Sequence, residues 1–225
     1  MIMSSLNASD VLFRPGTVED LDFIAWCNYT STSPSPGFCY WDPTLEGNGT
    51  DTITFISKAI SLDVLAWCRV SDFVIGTYGS VNVAGAARFR MRKEDYRPID
   101  LAKAPLLYES LGWDAETVGR FEGIYFSVWS DPNDETLRPS GIWTVECVAV
   151  AEQARGKEVA KALLAHILKE ACDTGIESVG ISVTPGNDVA KRTYLAAGFQ
   201  PFITYYSEYY YDQFPGIEKY RWRPH

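Results

Sequence analysis

The chain has 225 residues, 46% hydrophobic and 22% charged, a balance that places it among ordinary globular proteins and away from disordered ones. With 29 acidic residues against 20 Lys plus Arg, its formal net charge is −9 and its pI is near 4.8. That balance argues against binding along nucleic-acid phosphates, which needs a basic surface, and favours neutral or cationic small partners. Two histidines, His166 and His225, leave no material for a Ser-His-Asp triad or a multi-histidine site, so no metal is expected.

Cys27, Cys39, Cys68, Cys147 and Cys172 are odd in number and never C-x-x-C, as reduced thiols of a cytosolic protein would be. No apolar run approaches the ~18 residues of a membrane helix. The first residues carry no basic start or signal-length apolar stretch, so a cytoplasmic protein without membrane contact is expected. One domain over 1–225 is the expected organisation.

Val11 to Arg14 reads as a short strand ended by Pro15-Gly16. Thr17, with Glu19 and Asp20, opens a helix through Leu21, Phe23 and Ile24. Residues 31–52 are rich in Ser, Pro, Gly and Asn and read as a long loop carrying Phe38, Tyr40 and Trp41. Thr54 to Trp67 has helical spacing at Phe55, Ala59, Ile60 and Val64. Strands follow at Phe73 to Ile75 and Ser80 to Arg90, with a bend at Tyr78-Gly79. Met91 to Arg138 reads as an insertion with a helix over Ala115 to Trp129.

From Trp143 the alternation predicts a strand with Trp143, Val145, Cys147 and Ala149 on one apolar face. Thr144, Glu146, Val148 and Val150 form the other. A turn over 152–156 leads to a helix whose stripe is Val159, Leu163, Leu164, Ile167, Leu168 and Ala171, ended by Gly175. Ser178 to Val183 is the next strand. Pro185-Gly186 breaks it, Asn187 or Asp188 caps a helix, and Gly198-Phe199 closes that helix, giving a strand-helix-strand-helix unit with parallel strands. A turn with Gly156 opening into a helix aims backbone N–H groups at one point, a place for phosphate flanked by Arg155 and Lys157. A plain turn is the alternative, since no complete P-loop or dinucleotide glycine pattern is present.

In these motifs residues 144–202 resemble the catalytic core of the GNAT superfamily of acyl-CoA-dependent N-acyltransferases. Arg155-Gly156-Lys157-Glu158-Val159-Ala160 looks like the signature Gln/Arg-x-x-Gly-x-Gly/Ala, with Glu158 standing where glycine is preferred. Asn187, Ala190, Tyr194 and Gly198-Phe199 are similar to its downstream element, and Phe13-Arg14-Pro15 to its opening strand. The resemblance implies an α/β fold with a central mixed sheet and helices on both faces, with insertions at 31–65 and 92–140.

It also implies an N-acetyltransferase in which acetyl-CoA lies between the strand ending at Val150 and the strand ending near Val183. Backbone groups of Val148 and Val150 would pair with the pantetheine arm. The amides of Arg155, Gly156, Lys157, Glu158, Val159 and Ala160 would hold the pyrophosphate. Asn187 would cap its helix or orient the arm. Tyr194 falls at the family's general-acid position, with core packing as the alternative. Glu146, an unfavoured strand residue, would serve as base or stand as an exposed carboxylate. The acceptor would be a small-molecule or peptide amine. A catalytically inactive acyl-CoA-binding sensor and an unrelated nucleotide-binding α/β domain are the other readings. His166 is expected on the solvated surface. The aromatic tail, Phe202 through Trp222, is read first as core, then as a pocket wall with Phe38, Tyr40 and Trp41, then as a homodimer interface.

Overall fold

The computed structural model describes residues 6–33, 39–91, 96–212 and 214–224; Phe38 and the charged run at 92–95 lie outside the described residues. Seven strands alternate with helices in the order β1 (Leu12–Pro15), α1 (Leu21–Ser31), α2 (Asp42–Leu45), α3 (Thr52–Ser61), β2 (Phe73–Tyr78), β3 (Val81–Phe89), α4 (Ala104–Ser110), α5 (Ala115–Val128) and β4 (Trp143–Val150). They continue as α6 (Val159–Asp173), β5 (Val179–Val183), α7 (Asp188–Ala196), β6 (Gln200–Tyr206) and β7 (Gly216–Trp222). The strands form one sheet in the order β1-β2-β3-β4-β5-β7-β6. The β4 and β5 strands are parallel, as the intervening helix requires, and the other neighbours are antiparallel.

Each face of the sheet carries its own core. On one, α6 lays down Val159, Leu163, Leu164, Ile167, Leu168 and Ala171, all buried at the spacing read from the sequence. Arg88 of β3 ties that helix down through a two-pronged pair with Glu170, Nε to Oε2 at 2.8 Å and Nη2 to Oε1 at 2.7 Å. On the opposite face α1, α3, α4 and α5 pack together over Phe73, Ile75, Ala87 and Phe89. Trp41, Phe55, Trp113, Phe121, Tyr125 and Trp129 knit these helices with ring centroids 4.9–6.1 Å apart. The two regions read as insertions are therefore one packed layer, and Arg120 of α5 donates to the Gly47 carbonyl at 2.5 Å.

Three expectations change. The predicted helix over Thr54 to Trp67 starts at Thr52, where Asp51 accepts from the Thr54 N–H at 3.0 Å, and stops at Ser61. Asp63 takes a left-handed φ of 54°, which an α-helix cannot continue through, although Val64 remains buried. The α4 helix, inside the second insertion, had no periodic signal. The face alternation of β4 also fails at its centre: Val145 packs with the α6 core, whereas Cys147 and Ala149 pack with the α1 core. The cause is a bulge. Gly85 faces Ala149 and Ala87 faces Glu146, so one extra β4 residue is accommodated, with Cys147 at φ 58°.

The start of β4 is fixed by a close backbone crossing. A Cβ on Gly180 of β5 would meet the Ser140 side chain and lie 2.7 Å from the Gly141 nitrogen. Gly180→Ala should therefore destabilise the fold by about 1–3 kcal/mol, read as a lower urea midpoint; an unchanged midpoint would mean the crossing relaxes freely.

Candidate functional site

The parallel β4 and β5 strands are paired at only three positions, Trp143 with Val179, Thr144 with Gly180 and Val145 with Ile181. Past Val145 they part, and a cleft of 1330 Å³ opens between them. Its walls come from β4 residues 144–150, β5 residues 181–183, the turn before α6, α7 and the segment 136–140. The Ala151 N–H donates to the Val83 carbonyl at 2.9 Å. By the alternation of an antiparallel ladder, the backbone groups of Val150, and of Val148 before it, point away from β3 and into the cleft. Arg155 Nε already donates to the Val150 carbonyl at 3.1 Å.

The turn after β4 runs through a short 3₁₀ segment, Glu152–Ala154, then Gly156 at φ +73° and Glu158 at φ +58°. Glu158 is the N-cap of α6, and its carbonyl accepts from the Ala162 N–H at 3.0 Å. The next three amides, Val159, Ala160 and Lys161, have no acceptor within the helix and carry the positive end of its dipole. The left-handed φ explains why glycine suits position 158. The Glu158 side chain is mostly exposed and lies 3.4 Å from Lys161 Nζ, so its carboxylate turns outward. Asn187 caps α7, its side chain accepting from the Ala190 N–H at 3.1 Å.

Where the strands part, three ionisable groups converge. Glu146 keeps some surface toward the cleft, yet burial of its carboxyl raises its pKa to about 7, with the Lys219 charge pulling the other way. Lys219, from β7, is 5% exposed. Burial lowers it to about 8, opposed by the charges of Glu146 and Asp134. Its ammonium donates to the Arg138 carbonyl and lies 5.9 Å from the Tyr205 ring centre. Tyr194 of α7 is buried, and burial followed by the Glu146 charge holds its hydroxyl far above the usual phenol range. Glu146 also acts on Cys68, which sits 3.3 Å from Cys147 across the bulge.

Of the residues singled out in the sequence, Glu146, Val148, Val150, Arg155, Gly156, Glu158, Val159, Ala160, Asn187 and Tyr194 line this one cleft. Lys157 is adjacent in the turn and outside the lining. Sequence reasoning missed Lys219, which stands between Glu218 and Tyr220 in a strand that also carries Arg221, whereas Glu146 is the lone charge of its strand. It also missed Trp67, Met91 and Trp129, which reach the cleft from the helical layer. His166 is half-buried, its ring tilted against Phe13 at 5.2 Å instead of standing in solvent. The aromatic tail is mostly not core: Phe202, Tyr206, Tyr209 and Tyr211 are exposed, Tyr220 is buried, and Phe214 meets Tyr40 at 4.9 Å on the cleft wall. Trp41 belongs to the core.

Among the described residues no group of His, Cys, Asp and Glu is placed to hold a metal, and no helix is long and apolar enough to cross a membrane. Charge in the cleft opposes the charge of the chain. Arg138, Arg155, Lys161, Arg192 and Lys219 line it against Glu146 and Glu158 alone. Most of the cleft is thus suited to a polyanion, a local charge that the net charge of the chain does not report.

Several solved structures share this fold at low identity. N-acetyltransferase from Staphylococcus aureus Mu50 aligns at 14% identity and TM-score 0.61, covering 94% of this chain and 100% of that one. The protein yncA from Salmonella typhimurium, solved with its cofactor acetyl-CoA, aligns at 13% and 0.52 over 95% and 94%. Ribosomal-protein-alanine N-acetyltransferase from Brucella melitensis aligns at 14% and 0.53 over 95% and 99%. No curated protein matches the sequence. The Acetyltransferase (GNAT) family profile matches residues 65–199, more than half the chain, and with the split sheet and the turn into α6 this chain belongs to the GNAT acetyltransferase family, whose acyl donor is acetyl-CoA.

Proposed function

We propose that the chain is an N-acetyltransferase that moves the acetyl group of acetyl-CoA to a primary amine by direct attack, with Glu146 as general base and Tyr194 as hydrogen-bond donor to the leaving sulfur. The observation that carries this reading is the meeting of Glu146 and Tyr194 where β4 and β5 part, with a basic, dipole-bearing turn at the far end of the same cleft. Bound there, the donor supplies a thioester carbonyl open to a nitrogen nucleophile.

The chain's own residues then have separable tasks. The orphan amides of Val159 and Ala160, with Arg155 and Lys161 beside them, suit a pyrophosphate. Edge groups of Val148 and Val150 suit an amide-bearing arm laid along β4 as a surrogate strand. Glu146 accepts the proton that the ammonium must lose, and a pKa near 7 makes it a competent base in neutral solution. As nitrogen bonds to carbon, the carbon–sulfur bond breaks with its electron pair on sulfur, and the second proton that nitrogen sheds in becoming an amide is the one that the departing thiolate gains. Tyr194, protonated at any physiological pH, offers its O–H to that charge. The free cysteines, four of them buried, support a reducing, cytoplasmic setting. The joint packing of 31–65 and 92–140 supports one domain.

Tyr194→Phe should lower kcat by about 10²-fold or more while leaving CoA affinity within a factor of about two; intact turnover would take Tyr194 out of the chemistry, whereas CoA binding with no turnover in the unsubstituted chain would return it to the sensor reading. Glu146, followed by carboxyl carbon NMR, should titrate near pH 7. Because the base works deprotonated, kcat/KM should fall as pH drops through that value. Lys219→Met removes the one cation opposing the upward shift, so the same NMR titration should move to higher pH; a downward move would mean the two groups do not face each other. Glu158→Gly should tighten CoA about three- to tenfold in calorimetry, since it removes a carboxylate near the phosphate turn and relieves a left-handed backbone.

A further inference from the structure

The cleft continues past Glu146 on the α1 side of the sheet, and its character changes there. Tyr40, Trp67, Met91, Trp129 and Phe214 come from five separated segments and present half-buried faces to one space. Trp129 is braced from behind by Trp41 at 5.5 Å and Tyr125 at 4.9 Å, and Phe214 stands edge-on to Tyr40 at 4.9 Å. Two polar atoms in this space are buried without a hydrogen-bond partner among the described residues: Thr144 Oγ1 and Trp67 Nε1. Thr144 is 4% exposed and stands two residues before Glu146 on the same side of β4, ahead of the bulge. A buried polar atom left unpaired costs about 1–3 kcal/mol, so these two are carried at a cost behind the rings that face the cleft.

We infer that the acceptor is a monoamine on an aromatic body, its ring held among Trp67, Trp129 and Phe214. This rests on the transferase reading above and names the substrate class of that site. Charge selects against the main competitor. Among the described residues Glu146 is the only carboxylate lining this end, Glu158 being at the phosphate turn beside Lys161. A polyamine would bring its second ammonium toward Lys219 and Arg138, where Asp134 already answers the Lys219 charge. A short alkylamine would leave the ring faces wet.

The test uses the full chain with acetyl-CoA and compares phenethylamine, tyramine and tryptamine with n-butylamine, spermidine and an alanine-terminated peptide, reading CoA release. The aromatic amines should give kcat/KM at least tenfold above the other three. Phe214→Ala should raise their KM severalfold and shrink their advantage over n-butylamine to less than about threefold. Equal or better use of n-butylamine, spermidine or the peptide would overturn the inference. Direct binding of tyramine, followed by ligand-observed NMR without CoA, separates the two readings. Tyramine binding that Phe214→Ala abolishes supports the pocket even if no transfer occurs, whereas no binding at millimolar tyramine overturns it. A missing thermal shift with CoA would count against the transferase reading alone.

Discussion

The interaction on which the site depends is one that β4 gives up. A strand in the middle of a sheet normally spends its backbone donors and acceptors on both neighbours. Here β4 stays paired with β3 along its length but holds β5 for three residues only. The bulge at Cys147 bends the strand as the partnership with β5 ends, and it places Glu146 and Cys147 consecutively on the α1 side. Unpaired main-chain groups are tolerable there because they border an open cleft instead of apolar core. Behind the bulge the Asn28 amide donates to Cys147 Sγ at 3.4 Å, and Cys68 approaches the same sulfur. Soft, polarisable thiols thus fill the irregular space that a kinked strand leaves.

The cleft cuts through the sheet and joins two unlike environments. On the α6 side it meets a helix terminus and cations, a setting for phosphate. On the α1 side it meets rings supplied by the extra helices. Glu146 stands at the junction, and its charge is felt by Tyr194, Lys219 and Cys68. The helical layer does more than cover the site, because its wall residues are backed by the same aromatic cluster that holds α3, α4 and α5 together.

Much of this was legible in the sequence because it is local. The period of α6, the glycine that stops it, the Asn187 cap and the parallel pair around α6 are each written in neighbouring residues and appear where expected. The bulge was not legible, since one inserted residue leaves an alternating string looking regular while exchanging its faces. Nor was the joint packing of 31–65 with 92–140, which depends on contacts such as Trp41 with Trp129 across many intervening residues. Tyr194 and Glu146 could be singled out, but their meeting with Lys219 required β7 to be laid beside β5, with Lys219 opposite Ser182.

The contrast between a net charge of −9 and a cleft lined mainly by cations bears on the speed of encounter as well as on affinity. A polyphosphate approaching from beyond a Debye length, about 8 Å at physiological salt, meets the repulsive field of the whole molecule before it meets the arginines and lysines around the α6 turn. Added salt would screen the outer repulsion first, so capture would quicken while the bound state weakens.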